Sequence, residues 1–213
     1  MEATAIEKRN ALLGEKLVKA LQKRHFEAYY FAHAAEAVKQ VLELMPKGSS
    51  VSWGGSMTIR DMGLTAAIKE ADYVVYDRDL ATSPEEADVV YHQALGADFF
   101  ITSANAITEE GQIVNIDGRG NRVAAITFGP KRVIHVIGLN KVARNVEEAI
   151  SRARHTAAPI NTSRLGSATP CTADGVCHEC LSPACICNVL QVVRNSFPAG
   201  RHTVVLVGED WGY

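Results

Sequence analysis

The chain has 213 residues, 47% hydrophobic and 22% charged, with a formal net charge of -2. That profile excludes a disordered or fibrous chain and leaves room for one generous core. The near-neutral balance argues against nucleic acid as a partner, because duplex binding needs a clustered basic surface. No apolar run approaches the ~20 residues of a membrane span. The opening "MEATAIEKRNALLGEKL" mixes acids and bases from its second residue, unlike a secretory signal, so a cytoplasmic location is expected.

Apolar residues at Leu13, Leu17, Ala20 and Leu21 recur on one helical face, and a second such face runs through Ala34, Val38, Val41, Leu42 and Met45 until "PKGSS" stops it. "SVSWGG" reads as a short strand entering glycines, followed by a helix over "TIRDMGLTAAIKEA". "DYVVYD" reads as a buried strand from its unbroken apolar centre. "TSPEEADVVYHQAL" opens with a helix-start signature: Ser83 as cap, Pro84 in the first turn and Glu86 three residues after the cap. "ADFFITSA" is the next strand.

After Ala104 the rhythm changes. "NAITEEGQIVNIDGRGNRVAAITFGPKRVIHVIG" holds three or four strand-like runs separated by glycine-containing turns, which reads as a β-meander inserted into an alternating chain. A helix is expected from Asn145, with Glu148 at the capping-box position and Val146, Ala149, Ile150 and Ala153 on one face. "NVLQVVRN" reads as a short helix and "HTVVLVG" as a last strand. This alternation predicts an α/β fold, a mostly parallel sheet with helices on both faces, in one domain over residues 1–213.

Two stretches point to chemistry. In "SWGGSMTIRD", Gly54 and Gly55 let backbone N–H groups approach a ligand, and Thr58 and Asp61 have capping-box spacing. A helix N-terminus there would favour a phosphate or carboxylate, with Ser56 and Thr58 adding hydroxyls and Arg60 a charge. The loop is neither a Walker loop nor a dinucleotide fingerprint. Among acid and base candidates, Glu109, Glu110, Asp117 and Arg119 fall at turns, and Asn140 and Lys141 follow the last strand of the meander. Glu110, Asp117 and Lys141 are the candidates for catalysis. Glu209 and Asp210 follow the final strand and are candidate ligand-binding residues. His25, His33 and His92 have no evident partner, and His135 alternates with apolar neighbours as a core or face histidine.

The second stretch is the cysteine-rich segment at residues 165–190. Cys171, Cys177, Cys180 and Cys187 form a C-x5-C-x2-C-x6-C pattern, with His178 and Cys185 nearby. Thiols clustered in this way read better as a metal site than as a disulfide framework. Four thiolates suit tetrahedral zinc or an iron–sulfur cluster such as 4Fe-4S. Having only one short knuckle tilts the pattern toward the cluster.

"WGGSMT", "TEEGQIVNIDGRGNRVAAITFGPKRVIHVIGLNKV" and the terminal "LVGEDWGY" together resemble the lactate-utilisation (LUD) domain family, over nearly the whole chain. The resemblance implies a fold related to ribose-5-phosphate isomerase, glucosamine-6-phosphate deaminase and the CoA-transferases, whose glycine-rich loop holds a phosphate or carboxylate. It implies an association with L-lactate oxidation to pyruvate beside iron–sulfur oxidoreductase partner subunits. Similar members carry a C-terminal cysteine stretch matched by Cys171, Cys177, Cys180 and Cys187, to which Cys185 is extra. The expectation is therefore a redox accessory binding a small anionic metabolite. A non-redox isomerase or CoA-transferase-like enzyme with a structural zinc is the alternative, and association into a homo-oligomer stays open.

Overall fold

The computed structural model describes residues 3–213. Its main sheet has six strands in the order β1 (Glu27–Phe31), β10 (His202–Val207), β7 (Arg132–Gly138), β4 (Phe99–Thr102), β2 (Ser50–Trp53) and β3 (Val74–Tyr76), every pair parallel. Parallel strands need crossovers, and the helices that supply them cover both faces, as the alternating pattern predicts.

Alternation along the strands assigns the two faces. Ile134 and Val136 of β7 and Val205 and Val207 of β10 turn to one face, where they meet Ala37 and Val41 of α2 (Ala34–Glu43), Ile59 of α3 (Met57–Asp61), and Leu64 and Ile68 of α4 (Leu64–Glu70). Ile137, Val204 and Leu206 turn to the other, against Leu17 and Leu21 of α1 (Ala5–Lys23). Each such fully buried aliphatic side chain contributes roughly 1.5–3 kcal/mol. Phe100 and Val133 continue that second face beneath α5 (Pro84–Leu95) and α6 (Asn121–Thr127).

A smaller mixed sheet, β8 (Val142–Ala143), β5 (Ala106–Thr108), β6 (Ile113–Asp117) and β9 (Val189–Val193), stands beside the main one. The expected meander is only half present. β5 and β6 form its hairpin, but "NRVAAIT" is helix α6, not a strand. The carboxylate of Asp117 accepts the Val123 amide at its start, and Val123, Ala125 and Ile126 are buried together, a helical spacing. The last run of the meander, β7, belongs to the main sheet.

"NVLQVVRN", expected as a helix, is instead β9, antiparallel to β6 from Val189↔Asp117 to Val193↔Ile113. Three valines in five residues favour a pleated strand. "DYVVYD" is a strand, but β3 lies at the sheet edge with Val74 half exposed, not buried. Strand β1 had no sequence signal, because Tyr29 and Tyr30 blur its alternation.

The two helix starts are capped. Ser83 Oγ accepts from Glu86 N at 3.2 Å, while the Glu86 carboxylate reaches Thr82 rather than the cap itself. Asn145 Oδ1 accepts from Glu148 N at 2.9 Å at the head of α7 (Val146–Arg152). That helix runs through a π-turn at Ala153–Ala157 into α8 (Ala158–Leu165). Among the described residues, no helix is long and apolar enough to cross a membrane.

Candidate functional site

Strands β2, β4 and β7 are neighbours, so the loops leaving their carboxyl ends converge: Gly54–Met57 after β2, Ser103–Asn105 after β4, and Leu139–Lys141 after β7. This is where open α/β sheets bind ligands. A cleft of about 460 Å³ lies there, walled by these loops, by the β6–α6 turn, by α8 and by Tyr213. Five cations line it (Arg78, Arg119, Arg122, Lys141 and Arg164) against two acids, Asp79 and Asp117.

At its floor is Lys141, 2% exposed. Its ammonium donates to Thr58 Oγ1 at 2.8 Å and to Ser103 Oγ at 3.1 Å, and no carboxylate pairs with it among the described residues. Burial pushes its pKa down from 10.5 to about 7, and the charges of Arg152 and Arg122 push the same way. Arg152, itself driven down by burial, spends its guanidinium on carbonyls, those of Asn105 at 2.5 Å and Asn140 at 3.3 Å. Asn140 points away and ties down the tail: it donates to the Gly212 carbonyl at 3.1 Å and accepts from Trp211 N at 3.3 Å.

Asp117 is a poor candidate base by geometry. One carboxylate oxygen accepts from Arg122 Nε at 2.8 Å and the other from Val123 N at 2.8 Å. Arg122 also donates to Asn105 Oδ1 at 2.7 Å and to the Ile116 carbonyl at 2.9 Å, so the pair is a strut holding β6, α6 and the β4 loop in register. On the rim, Arg78 and Arg119 stack on Tyr91, 5.4 and 5.3 Å from its ring centre.

The glycine loop is built differently from its reading in sequence. Gly54 donates its amide to the Ile101 carbonyl at 3.1 Å, and the side chain of Arg122 packs over it. Gly55 lines the cleft, and a Cβ there would fall 2.3 Å from Arg78 Nη2, the far end of a flexible side chain that it would push aside. Ser56 and Thr58 also line the cleft. The capping box of Thr58 and Asp61 does not form. Thr58 Oγ1 accepts from Lys141 and donates to the Trp211 carbonyl at 3.2 Å, and Asp61 is exposed. Helix α3 is five residues long, too short to focus a dipole on a guest.

Four sequence candidates stand elsewhere. Glu110 is on the far side of the molecule beside Arg24, and Glu109 pairs with Lys16 at 2.5 Å. Glu209 accepts from His33 Nδ1, the Ala34 amide and Trp211 Nε1, each at 3.0 Å, which makes it an anchor for the start of α2. Asp210 is exposed. The sequence reading missed Arg78, Arg122, Arg152 and Arg164, since nothing in their local sequence marks arginines that converge from four separate elements.

The cysteine segment borders the same cleft. Ile186, between Cys185 and Cys187, is part of its wall and packs on Gly118, where a Cβ would come within 3.1 Å of Ile186 Cα. All five cysteines are free thiols. Cys171 Sγ lies 3.3 Å from Thr162 Oγ1 and 3.2 Å from Thr169 Oγ1, and Cys187 N donates to Cys185 Sγ at 3.3 Å. Burial pushes the Cys187 thiol up to about 12, with Cys185, Cys177 and Cys171 adding to the shift. Cys185, extra to the pattern in sequence, is thus in contact with Cys187. Soft thiol donors suit zinc or iron–sulfur chemistry. Yet no three metal-ligating side chains stand together in coordinating positions among the described residues. The donor set fits such a group and its present arrangement does not.

His135, expected in the core or on a face, is fully buried on β7 with its Nε2 3.1 Å from His202 Nδ1. Desolvation, with the His202 charge adding to it, holds its pKa well below the usual range.

These features define a parallel α/β protein with a cationic cleft at its carboxyl strand ends and a cysteine segment forming one wall. The chain belongs to the LUD domain family, whose sequence model matches residues 14–207. A DUF162 family protein from Deinococcus radiodurans has a similar fold: 14% identity, a TM-score of 0.54, and coverage of 93% of this chain and 97% of that one. More remote likenesses are eIF2B delta from Chaetomium thermophilum (14% identity, TM-score 0.36, 71% of each chain) and ribose 5-phosphate isomerase from Plasmodium falciparum (17% identity, TM-score 0.33, 53% and 52%). No curated protein matches the chain.

Proposed function

We propose that this LUD-domain chain binds a small anionic metabolite, a carboxylate or phosphate, in the cleft at the carboxyl ends of β2, β4 and β7. The observation that carries the reading is Lys141: a buried cation with two hydroxyl partners and no carboxylate, beside Arg122 and Arg152. A buried charge without a counter-charge is costly, and an anionic guest supplies the missing partner. On this reading the protein is a redox accessory or subunit in lactate utilisation, the role associated with its family. Cysteines drawn from Cys171, Cys177, Cys180, Cys185 and Cys187 would hold an iron–sulfur cluster or zinc at the cleft wall. Such a group would supply electron relay if iron–sulfur, or a staple if zinc. Ile186, which lines the cleft, supports a position for that segment beside such a guest.

The test uses the anaerobically purified chain. Lactate, pyruvate, inorganic phosphate and a CoA ester are titrated by calorimetry against the native protein and against Arg164→Ala and Arg78→Ala, two rim changes that spare the core. Binding of at least one anion, weakened about tenfold by either change (~1.4 kcal/mol), is expected. Unchanged affinity for every ligand that binds would overturn the cleft assignment, as would no binding at all. Metal analysis of the same sample separates the two roles: iron and sulfide support the redox accessory, and stoichiometric zinc supports the non-redox alternative.

A further inference from the structure

We infer that Lys141 is an amine nucleophile that forms an imine with an anionic aldehyde or ketone bound in the cleft. The inference rests on the cleft being an anion site and deepens it by naming the reactive carbonyl as part of the guest. Of the nine lysines in the chain, eight are exposed and Lys141 alone is buried. An ammonium has three donors, and Lys141 uses two of them, on Thr58 and Ser103. The charged groups around it all oppose its protonation or are already committed. Arg122 reaches in from α6 and Arg152 from α7, while Asp117 of β6 is engaged by Arg122 and the Val123 amide. A pKa of about 7 leaves much of the amine neutral at physiological pH, and the neutral amine is the nucleophilic form.

The step balances without an oxidant. The Nζ lone pair adds to the carbonyl carbon, a C–N bond forms, and the carbonyl π pair moves to oxygen. A proton passes from nitrogen to that oxygen, giving the carbinolamine. The hydroxyls of Thr58 and Ser103, 2.8 and 3.1 Å from Nζ, are placed to relay it. The carbinolamine hydroxyl then takes up a second proton, drawn from solvent through the open cleft. It leaves as water as the nitrogen lone pair forms the C=N bond, so the protonated imine remains. The rim arginines, Arg78 and Arg164, hold the anionic group while this occurs. A protonated imine draws electrons from the neighbouring carbon and acidifies its C–H bond, which opens isomerisation or elimination chemistry to the site.

Reductive trapping tests this on the full chain. Pyruvate, glyoxylate and glyceraldehyde 3-phosphate are each incubated with the protein and cyanoborohydride, with acetone as the neutral control, and the peptides are mapped by mass spectrometry. The expected result is a reduced adduct on Lys141 with at least one anionic probe. That adduct exceeds labelling of any exposed lysine, falls with acetone, and is lost in Lys141→Arg, which keeps the cation. Thermal unfolding and circular dichroism show whether that variant is folded, and competition of trapping by phosphate in the native chain gives a readout that needs no variant. A probe that binds by calorimetry yet leaves Lys141 unmodified overturns the inference and spares the cleft assignment. If no anion binds, both fall.

Discussion

The two ends of the six-stranded sheet treat charge in opposite ways. At the amino ends, charges are matched. Asp98, just before β4, accepts from Lys131 at 2.6 Å, from the Ser50 hydroxyl at 2.7 Å and from the Ser50 amide at 2.9 Å. Arg132, opening β7, pairs with Glu27 at the head of β1 and donates to Thr203 at 2.8 Å. At the carboxyl ends, Lys141, Arg152 and Arg164 have no carboxylate partner among the described residues, while Asp117 is consumed by Arg122, Asp79 is shared by Arg60 and Arg78, and Arg119 pairs with Asp88 at the rim. The matched end ties strands together, whereas at the other end Lys141, Arg152 and Arg164 are balanced by no acid among the described residues. Stability changes should therefore have opposite signs when charges are deleted at a strut and at the unpaired lysine.

The largest effect is expected at the exception within the carboxyl end. Arg122→Met strands the Asp117 carboxylate in a buried site and frees the acceptors of Asn105 and Ile116, at a cost of about 3–5 kcal/mol in denaturant unfolding. A loss under about 1 kcal/mol would mean that water solvates the pair, and the strut would be no strut. At the other end, Asp98→Ala should cost about 1–3 kcal/mol by stranding the Ser50 donors. Lys131, with Ser50, lowers the Asp98 pKa from 3.8 to about 2. Because the folded value is the lower one, this contribution is full above pH 3.8 and is lost as pH falls through 2. The cost of the substitution should shrink over that window, and a cost independent of pH would break the assignment.

How far this contrast was legible in sequence depends on the range of the signal. The alternating α/β order and the Ser83 and Asn145 caps were readable because each rests on residues within a few positions of one another, whereas the glycine loop lines the cleft without the Thr58–Asp61 capping box its spacing suggests. Lys141 was readable as a candidate because it follows a strand, but its isolation from carboxylates was not. That isolation arises where β7, β4 and β2 bring distant loops together. The errors have physical causes as well. "NRVAAIT" reads as a strand because the short unbroken apolar run Val123–Ile126 fits a buried strand as well as a helix, and the Asp117 contact at the head of the helix lies outside that run. "NVLQVVRN" was read as a helix, although pairing with β6 decides it. Glu110 belongs to the β5–β6 turn of the smaller sheet, beside Arg24, and Glu209, which does follow a main-sheet strand, is spent on His33, Ala34 and Trp211.

The sign reversal is sharpest at Lys141. Lys141→Met removes a buried cation that no acid balances, at the loss of two hydrogen bonds, and should stabilise the ligand-free protein by on the order of 1–3 kcal/mol at neutral pH. The folded state releases this proton near pH 7, whereas the unfolded state keeps it to 10.5. Between those values the unfolded chain binds more protons, so the native protein gains stability as pH rises. The advantage of the variant is thus greatest at pH 7 and below, and narrows toward pH 10.5. Equilibrium unfolding at a series of pH values measures it, and a variant less stable than the native chain at pH 7 would mean the cation is balanced after all.

The smallest effect separates binding from stability at the same end. In Gly55→Ala the new methyl meets only the far end of Arg78, a flexible side chain that can swing aside, so unfolding should change by no more than about 0.5 kcal/mol. The displaced guanidinium leaves the rim, and anion affinity should fall a few-fold while the fold is unchanged. If instead stability drops by several kcal/mol with affinity intact, Arg78 is fixed by packing on Tyr91 rather than held available to a guest. The unmatched end of the sheet would then begin inside the rim, at Lys141 and Arg152, and the glycine would serve only the turn.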